Sequence, residues 1–325
     1  MRIFVLNSEA NHEDAEDAED TTYAIKPISL LPNQLQPTNI GQLIDIKITK
    51  HEIFYSFELI PVKNQERTYL KFFRETKKFA PLFYALTWHS TLTNDECLPL
   101  ETVKSFPQNT LLHLAARNLK RNDIEKILAV AVRYGKINIF ALQGDASSSA
   151  VGDFPYALDL VKFIKFYYGS TFSICVAGYP DMHPNSVSKR SDLLHLKAKI
   201  DAGADYIITQ IIFESQTFIN FVKDCREIGI KVPILPGIFP INNYKSLIKM
   251  TKICKLKIPS KILSKLEPLK ANDQAVRNFG INLAVNLIKS ILNNGAAYGF
   301  HFFTLNRLGL IAEICEKINY PLEKY

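Results

Sequence analysis

The side chains able to do chemistry in this chain cluster at the ends of short apolar runs. The clearest is Glu58, which follows the aromatic and branched residues of the run 53–63, IFYSFELIPVK, and stands three residues before a proline. By the two-residue period of a strand, Ser56 and Glu58 share a face with Phe54. An ionised carboxylate in apolar surroundings is costly unless partnered, so Glu58 is expected to be ion-paired or held protonated with a raised pKa. A glutamate at an exposed strand end, bonded to a neighbouring lysine, is the plainer alternative. The arrangement recurs, however. Thr87 and His89 end the run 82–89, His113 lies within 110–116, and Gln143, Gly144 and Asp145 finish 138–145. Tyr179, with His183 after it, ends 173–179, Gln210 lies in 206–213, and Arg307 follows 300–305. Polar residues at nearly every such end, in otherwise apolar runs, favour a site over coincidence.

A second group lies in the helix-patterned string SDLLHLKAKIDAG, where Asp192, His195 and Lys199 are three and four residues apart and so form one stripe. An exposed face with ordinary charge pairs would have the same spacing. The functional reading is a hydroxyl acceptor, a hydrogen-bond donor and a cation in a row, a set suited to a ribityl chain and a pyrophosphate. There is no GxGxxG after a strand and no Walker loop, so a nucleotide would be bound without a glycine-rich cradle. The seven histidines show no HExxH or paired metal spacing, and no metal site is expected.

The elements that must position these residues alternate. From residue 53 onward, eight apolar strand-like runs are each followed by helix-patterned sequence. Gly135, Gly169, Gly203 and Gly229 stand where a left-handed residue would end a helix. Eight units in strict alternation predict an α/β fold, the (β/α)8 TIM barrel, whose site is built from the carboxyl ends of its strands. An open doubly wound sheet is the competitor, since periodicity does not show closure. Residues 1–38 are expected to be a disordered tail, acidic from Glu9 to Asp20 and then punctuated by prolines, ahead of a single catalytic domain over 39–325. The lead-in 39–50 fits either a helix or a strand.

Over 325 residues the composition is 47% hydrophobic and 22% charged, that of a soluble globular protein. No apolar run approaches the roughly 20 residues needed to cross a bilayer, and no signal peptide is legible, so neither a membrane nor secretion is expected. Five scattered cysteines without a CxxC pair argue for reduced thiols and a cytoplasmic location. Much of the lysine behind the net charge of +7 lies in 244–270 at helical spacing, which is the pattern of solvated helix faces. No aromatic-rich basic platform for nucleic acid is present, and small-molecule partners suit the charge equally well. A homo-oligomer stays open.

The strings SFELIP, LTWH, ALQGD, VAGYPDMHP, DLLHLKAKIDAGADYIITQIIF, PILPGIFPINNY and HFFTLNR, in this order, resemble the catalytic domain of methylenetetrahydrofolate reductase, more the eukaryotic form than the bacterial, over about 54–318. The resemblance implies a flavin-dependent barrel that reduces 5,10-methylenetetrahydrofolate to 5-methyltetrahydrofolate, with FAD bound and NADPH or NADH as electron donor. It implies that Glu58 is the general acid, that Asp145 lies between flavin and folate, and that Gln210 binds the pterin and serves the nicotinamide. Around FAD it places Thr87, Trp88, His113, Gln143, Gly144, Asp145, Tyr156, Ala157, Tyr179, His183, Asp192, His195 and Lys199. Phe303 and Arg307 would contact the folate. Two substrates that need the same flavin face imply ping-pong kinetics.

Departures from the family pattern surround the acid and the cofactor. Gln143 stands where the family usually has Arg before Gly-Asp, which removes a cation near the flavin. Ala115 replaces a threonine, Phe303 a tyrosine, and Leu59, Ile60, Val62 and Lys63 replace FFPPR. Because Glu58, Asp145 and Gln210 are kept, an active enzyme is expected, and a flavin- or folate-binding barrel with weak or lost turnover is the alternative. The eukaryotic family usually carries a second, inhibitory domain that binds S-adenosylmethionine. The chain ends at Tyr325, so an enzyme without that regulatory domain, or a truncated form, is expected.

Overall fold

The computed structural model describes residues 37–62, 66–87, 98–144 and 152–319. Its strands are β1 (Phe54–Leu59), β2 (Phe83–Leu86), β3 (Thr110–Ala115), β4 (Asn138–Leu142), β5 (Ser173–Gly178), β6 (Tyr206–Ile211), β7 (Ile234–Ile238) and β8 (Gly299–Phe303). Neighbours pair in parallel in chain order, and β8 closes on β1, so the sheet is a barrel and not the open alternative. Every strand residue is buried, which is why the runs are near-continuously apolar rather than alternating.

The helices are α1 (Ile40–Thr49), α2 (Glu66–Thr76), α3 (Leu98–Val103), α4 (Arg121–Arg133), α5 (Ala157–Tyr168), α6 (Lys189–Asp201), α7 (Ser215–Glu227), α8 (Tyr244–Cys254), α9 (Ser260–Leu266), α10 (Asp273–Asn294) and α11 (Leu308–Asn319). All four expected helix-ending glycines have positive φ, between 55° and 108°. In α8 and α9 the lysines Lys245, Lys249, Lys261 and Lys265 are exposed while Leu247, Met250, Ile262 and Leu266 are buried. The basic stretch is therefore a solvated face over an apolar one. Among the described residues no helix is long and apolar enough to cross a membrane.

The ambiguous lead-in is the helix α1, started by Asn39, whose side chain accepts from the Gln42 N–H at 3.0 Å. It lies against the amino ends of β4 and β5. Asn138 Oδ1 accepts from the Ile40 N–H at 2.8 Å, and Ser173 Oγ from the Gly41 N–H at 3.2 Å. Asn138 Nδ2 donates to the Thr38 carbonyl at 2.8 Å, so the ordered chain already includes the last positions of the expected tail. Residues 1–36 lie outside the described residues.

Candidate active site at the carboxyl ends of the strands

Glu58 is the penultimate residue of β1 and only 7% exposed. The alternative of an exposed glutamate bonded to lysine is thereby excluded. The Thr87 hydroxyl, one residue past β2, donates to Glu58 Oε1 at 2.7 Å. Oε2 faces His301 Nε2 at 3.6 Å, longer than a hydrogen bond but within ion-pair reach. His301 lies on β8 directly opposite Ser56, and its Nδ1 is 2.9 Å from the Ser56 hydroxyl. His301, Ser56 and His113 are all completely buried.

Of the two expectations for Glu58, partnered or protonated with a raised pKa, these neighbours bear out the first. Burial pushes the Glu58 carboxyl up, but His301, His113 and the Thr87 hydroxyl together draw it below its ordinary value. His301 is also the residue that reading the sequence missed. Its signal was a lone histidine two positions before Phe303 in an apolar run. Its partner Ser56 is 245 positions away, and only closure of the barrel brings the two strands together.

The loop after β8 is bound to the turn after β1. Asn306 accepts from the Ile60 N–H and donates to the Ile60 carbonyl, both at 2.9 Å. The Thr304 hydroxyl donates to the Glu58 carbonyl. Leu305 and Asn306 are both left-handed, with φ of 48° and 59°, a conformation non-glycine residues adopt at a cost and usually near functional sites. The turn delivers Arg307, half-buried, with Nη1 3.3 Å from the Ser246 hydroxyl at the start of α8. Phe303 is buried edge-on to His301, their rings 5.2 Å apart.

Gln210 reaches its position through an irregularity in the sheet. The β6–β7 register shifts between Ile208 and Ile211, and the Thr209 hydroxyl accepts from the Gly237 N–H at 3.0 Å. A Cβ on Gly237 would lie 2.4 Å from the Thr209 carbonyl, so the close approach needs glycine. Such a bulge re-aims a side chain. Gln210 Oε1 accepts from the Ile211 N–H at 2.9 Å, and the residue lines the main cavity.

That cavity, about 980 Å³, gathers most of the expected cofactor residues. Gln143, Gly144, Tyr156 and Ala157 line one side, Tyr179 and His183 another, and the α6 stripe of Asp192, His195 and Lys199 a third. Asp192 accepts from the His183 N–H at 3.1 Å and from the Ser186 hydroxyl at 2.9 Å, so it also pins the loop before α6. Lys199 donates to the Ala177 carbonyl at 3.0 Å, and burial draws its ammonium down to about 8. Burial likewise lowers His183. Gly144 has φ of +85°, and a Cβ there would meet the Ala115 methyl at 3.1 Å. Glu58, Thr87, His113, Phe303 and Arg307 do not line this cavity. They lie on or just after β1, β2, β3 and β8. Trp88, His89 and Asp145 lie outside the described residues.

A closed parallel barrel with a buried acid at its mouth and a large cavity beside it defines an α/β barrel with a candidate site at the carboxyl ends of its strands. The family model described as methylenetetrahydrofolate reductase matches residues 43–319. The chain is 36% identical over 298 residues to a probable methylenetetrahydrofolate reductase (NADPH) of Caenorhabditis elegans, covering 88% of this chain and 44% of that protein. It is 38% identical over 299 residues to methylenetetrahydrofolate reductase (NADH) 1 of Zea mays, covering 82% and 50%. This chain belongs to the methylenetetrahydrofolate reductase family. It spans about half the length of the curated relatives it matches. Among solved structures it is similar, at TM-score 0.64 and 14% identity, to a Clostridium thermocellum protein described as binding two copies of 5-methyl-5,6,7,8-tetrahydrofolic acid. That match covers 85% of this chain and 98% of the other, and it speaks to the fold.

Proposed function

We propose that this chain reduces 5,10-methylenetetrahydrofolate to 5-methyltetrahydrofolate, using NADPH or NADH as electron donor and bound FAD as intermediary. The observation that carries this is the array Ser56–His301–Glu58, a carboxyl group with a buried imidazole behind it. Opening the five-membered folate ring requires a proton at a ring nitrogen as its C–N bond breaks. Glu58 delivers that proton. His301 Nε2 is the group that returns one to Oε2, while the Ser56 hydroxyl holds Nδ1 and with it the ring's orientation.

FAD fits the residues present: a cavity of about 980 Å³ and the Lys199 side chain that lines it. When bound, it supplies a hydride path from NAD(P)H to the methylene carbon of the ring-opened iminium, which becomes the methyl group. Tyr179, His183, Asp192, His195 and Lys199 would hold it from the β5–α6 side, and Gln143, Gly144, Tyr156 and Ala157 from the β4–α5 side. Gln210, Phe303 and Arg307 would orient the folate, and Asp145 would stabilise the iminium cation. Sharing one flavin face gives ping-pong kinetics.

An anaerobic stopped-flow run of both half-reactions tests the proposal. The purified chain should be yellow, bleach with NADPH or NADH, and regain its colour with methylenetetrahydrofolate. Bleaching without that return would instead support the barrel that has lost turnover.

A further inference from the structure

Arg117 lines the cavity but has no role in the reading above. It stands two residues past β3, and its backbone is held from both sides. Its N–H donates to the Gln143 carbonyl at 2.8 Å, and its own carbonyl accepts from the Gly152 N–H at 3.1 Å. A Cβ at position 152 would lie 2.4 Å from that carbonyl, so glycine is what lets the loop close in. The side chain is half-buried, and among the described residues its guanidinium makes no hydrogen bond or ion pair.

Several polar groups of the lining also have protein partners. The Gln143 amide donates to the Pro155 carbonyl at 2.8 Å, Lys199 is turned to the Ala177 carbonyl, and Asp192 holds the His183 loop. A cation on a fixed backbone, in a concave site and without a counter-ion among the described residues, suits a ligand's negative charge. Positions 117 and 143 are joined backbone to backbone across neighbouring strand ends, so either could project a guanidinium into the same part of the cavity.

The geometry points to Arg117 as an anion-binding residue of the flavin site, a guanidinium carried on the β3 end in place of one on the β4 end. It neutralises negative charge of the cofactor, carried by the phosphate oxygens or by the reduced ring. This rests on the flavin reading above.

The test is a fluorescence titration of FAD into the flavin-stripped full chain, for the parent, Arg117→Ala, and Arg117→Ala with Gln143→Arg. Arg117→Ala should weaken FAD binding about tenfold or more, and adding Gln143→Arg should restore most of it. Recovery in the double variant also shows that the fold survived. Riboflavin, which lacks phosphate, separates the two sources: unchanged riboflavin affinity assigns the contact to the phosphates. Unchanged affinity for oxidised FAD, with a reduction potential lowered by about 30 mV, the two-electron equivalent of tenfold, assigns it to the reduced ring. If Arg117→Ala alters neither affinity nor potential while the parent binds FAD, the inference is overturned alone. A parent that binds no FAD overturns the flavin reading with it.

Discussion

The two ends of the barrel both bury polar groups, but treat them differently. At the amino end, Lys136 is 2% exposed and donates to the Phe106 and Pro107 carbonyls, each at 2.8 Å. Asn138 and Ser173 are spoken for by the backbone at the start of α1. At the carboxyl end, Glu58 Oε2 and His301 Nε2 are buried without a hydrogen-bond partner and face each other at 3.6 Å. A buried polar group left unsatisfied carries its full desolvation cost, so it persists where a reaction or ligand uses it. At the foot Lys136, Asn138 and Ser173 are paired for stability, although among the described residues Gln108 Oε1 and Tyr206 Oη nearby are not. At the mouth the unsatisfied pair is an acid and an imidazole able to exchange a proton.

Substitutions can break that contrast. The largest effect expected is at Glu58→Gln, where the folate half-reaction should slow by about 10²–10⁴-fold while flavin reduction by NAD(P)H is kept. Equal loss of both half-reactions, read by stopped flow, would remove Glu58 from the proton's path. At the foot, Asn138→Ala leaves the Ile40 N–H unsatisfied and frees α1, at a cost of about 1–3 kcal/mol in denaturant unfolding. Both half-reactions of the folded fraction should be unchanged. A foot substitution that slowed the chemistry would mean the two ends are coupled.

The smallest effects lie in pH windows of opposite sense. The folded Glu58 carboxyl is below its unfolded value, so its contribution is complete above about pH 4.3 and is lost as pH falls through the folded value. Glu58→Gln should therefore flatten the acid limb of thermal stability. Burial takes the Lys136 ammonium down to about 8, so the folded chain gives up this proton before the unfolded chain does. Stability from this group rises between about pH 8 and about pH 10.4, and Lys136→Met should lack that rise.

Much of this was legible residue by residue. Glu58, Gln210 and Arg307 were placed near strand ends by the alternation of apolar runs with helical pattern, and the Asp192–His195–Lys199 stripe by spacing alone. Others were not. Thr87 was assigned to the flavin, and the bond its hydroxyl donates to the acid was not foreseen. His301 went unremarked, so the imidazole that partners the acid was not named and the choice between a partnered and a raised carboxyl stayed open. Arg117 carried no signal in the sequence, because its bond to the Gln143 carbonyl joins two neighbouring strand ends.

The sequence by itself determined which residues form strands and helices, and which side chains stand near strand ends, because those properties depend on periods of two and about 3.6 residues within one short segment. Only the tertiary structure decided which strand ends are neighbours: β8 beside β1, the shifted register of β6 on β7, and the foot of β4 against α1. The pairing of β8 with β1 sets the partners of Glu58, and hence the direction of its shift. Such pairings arise from closing one sheet over the whole domain, which no local period encodes.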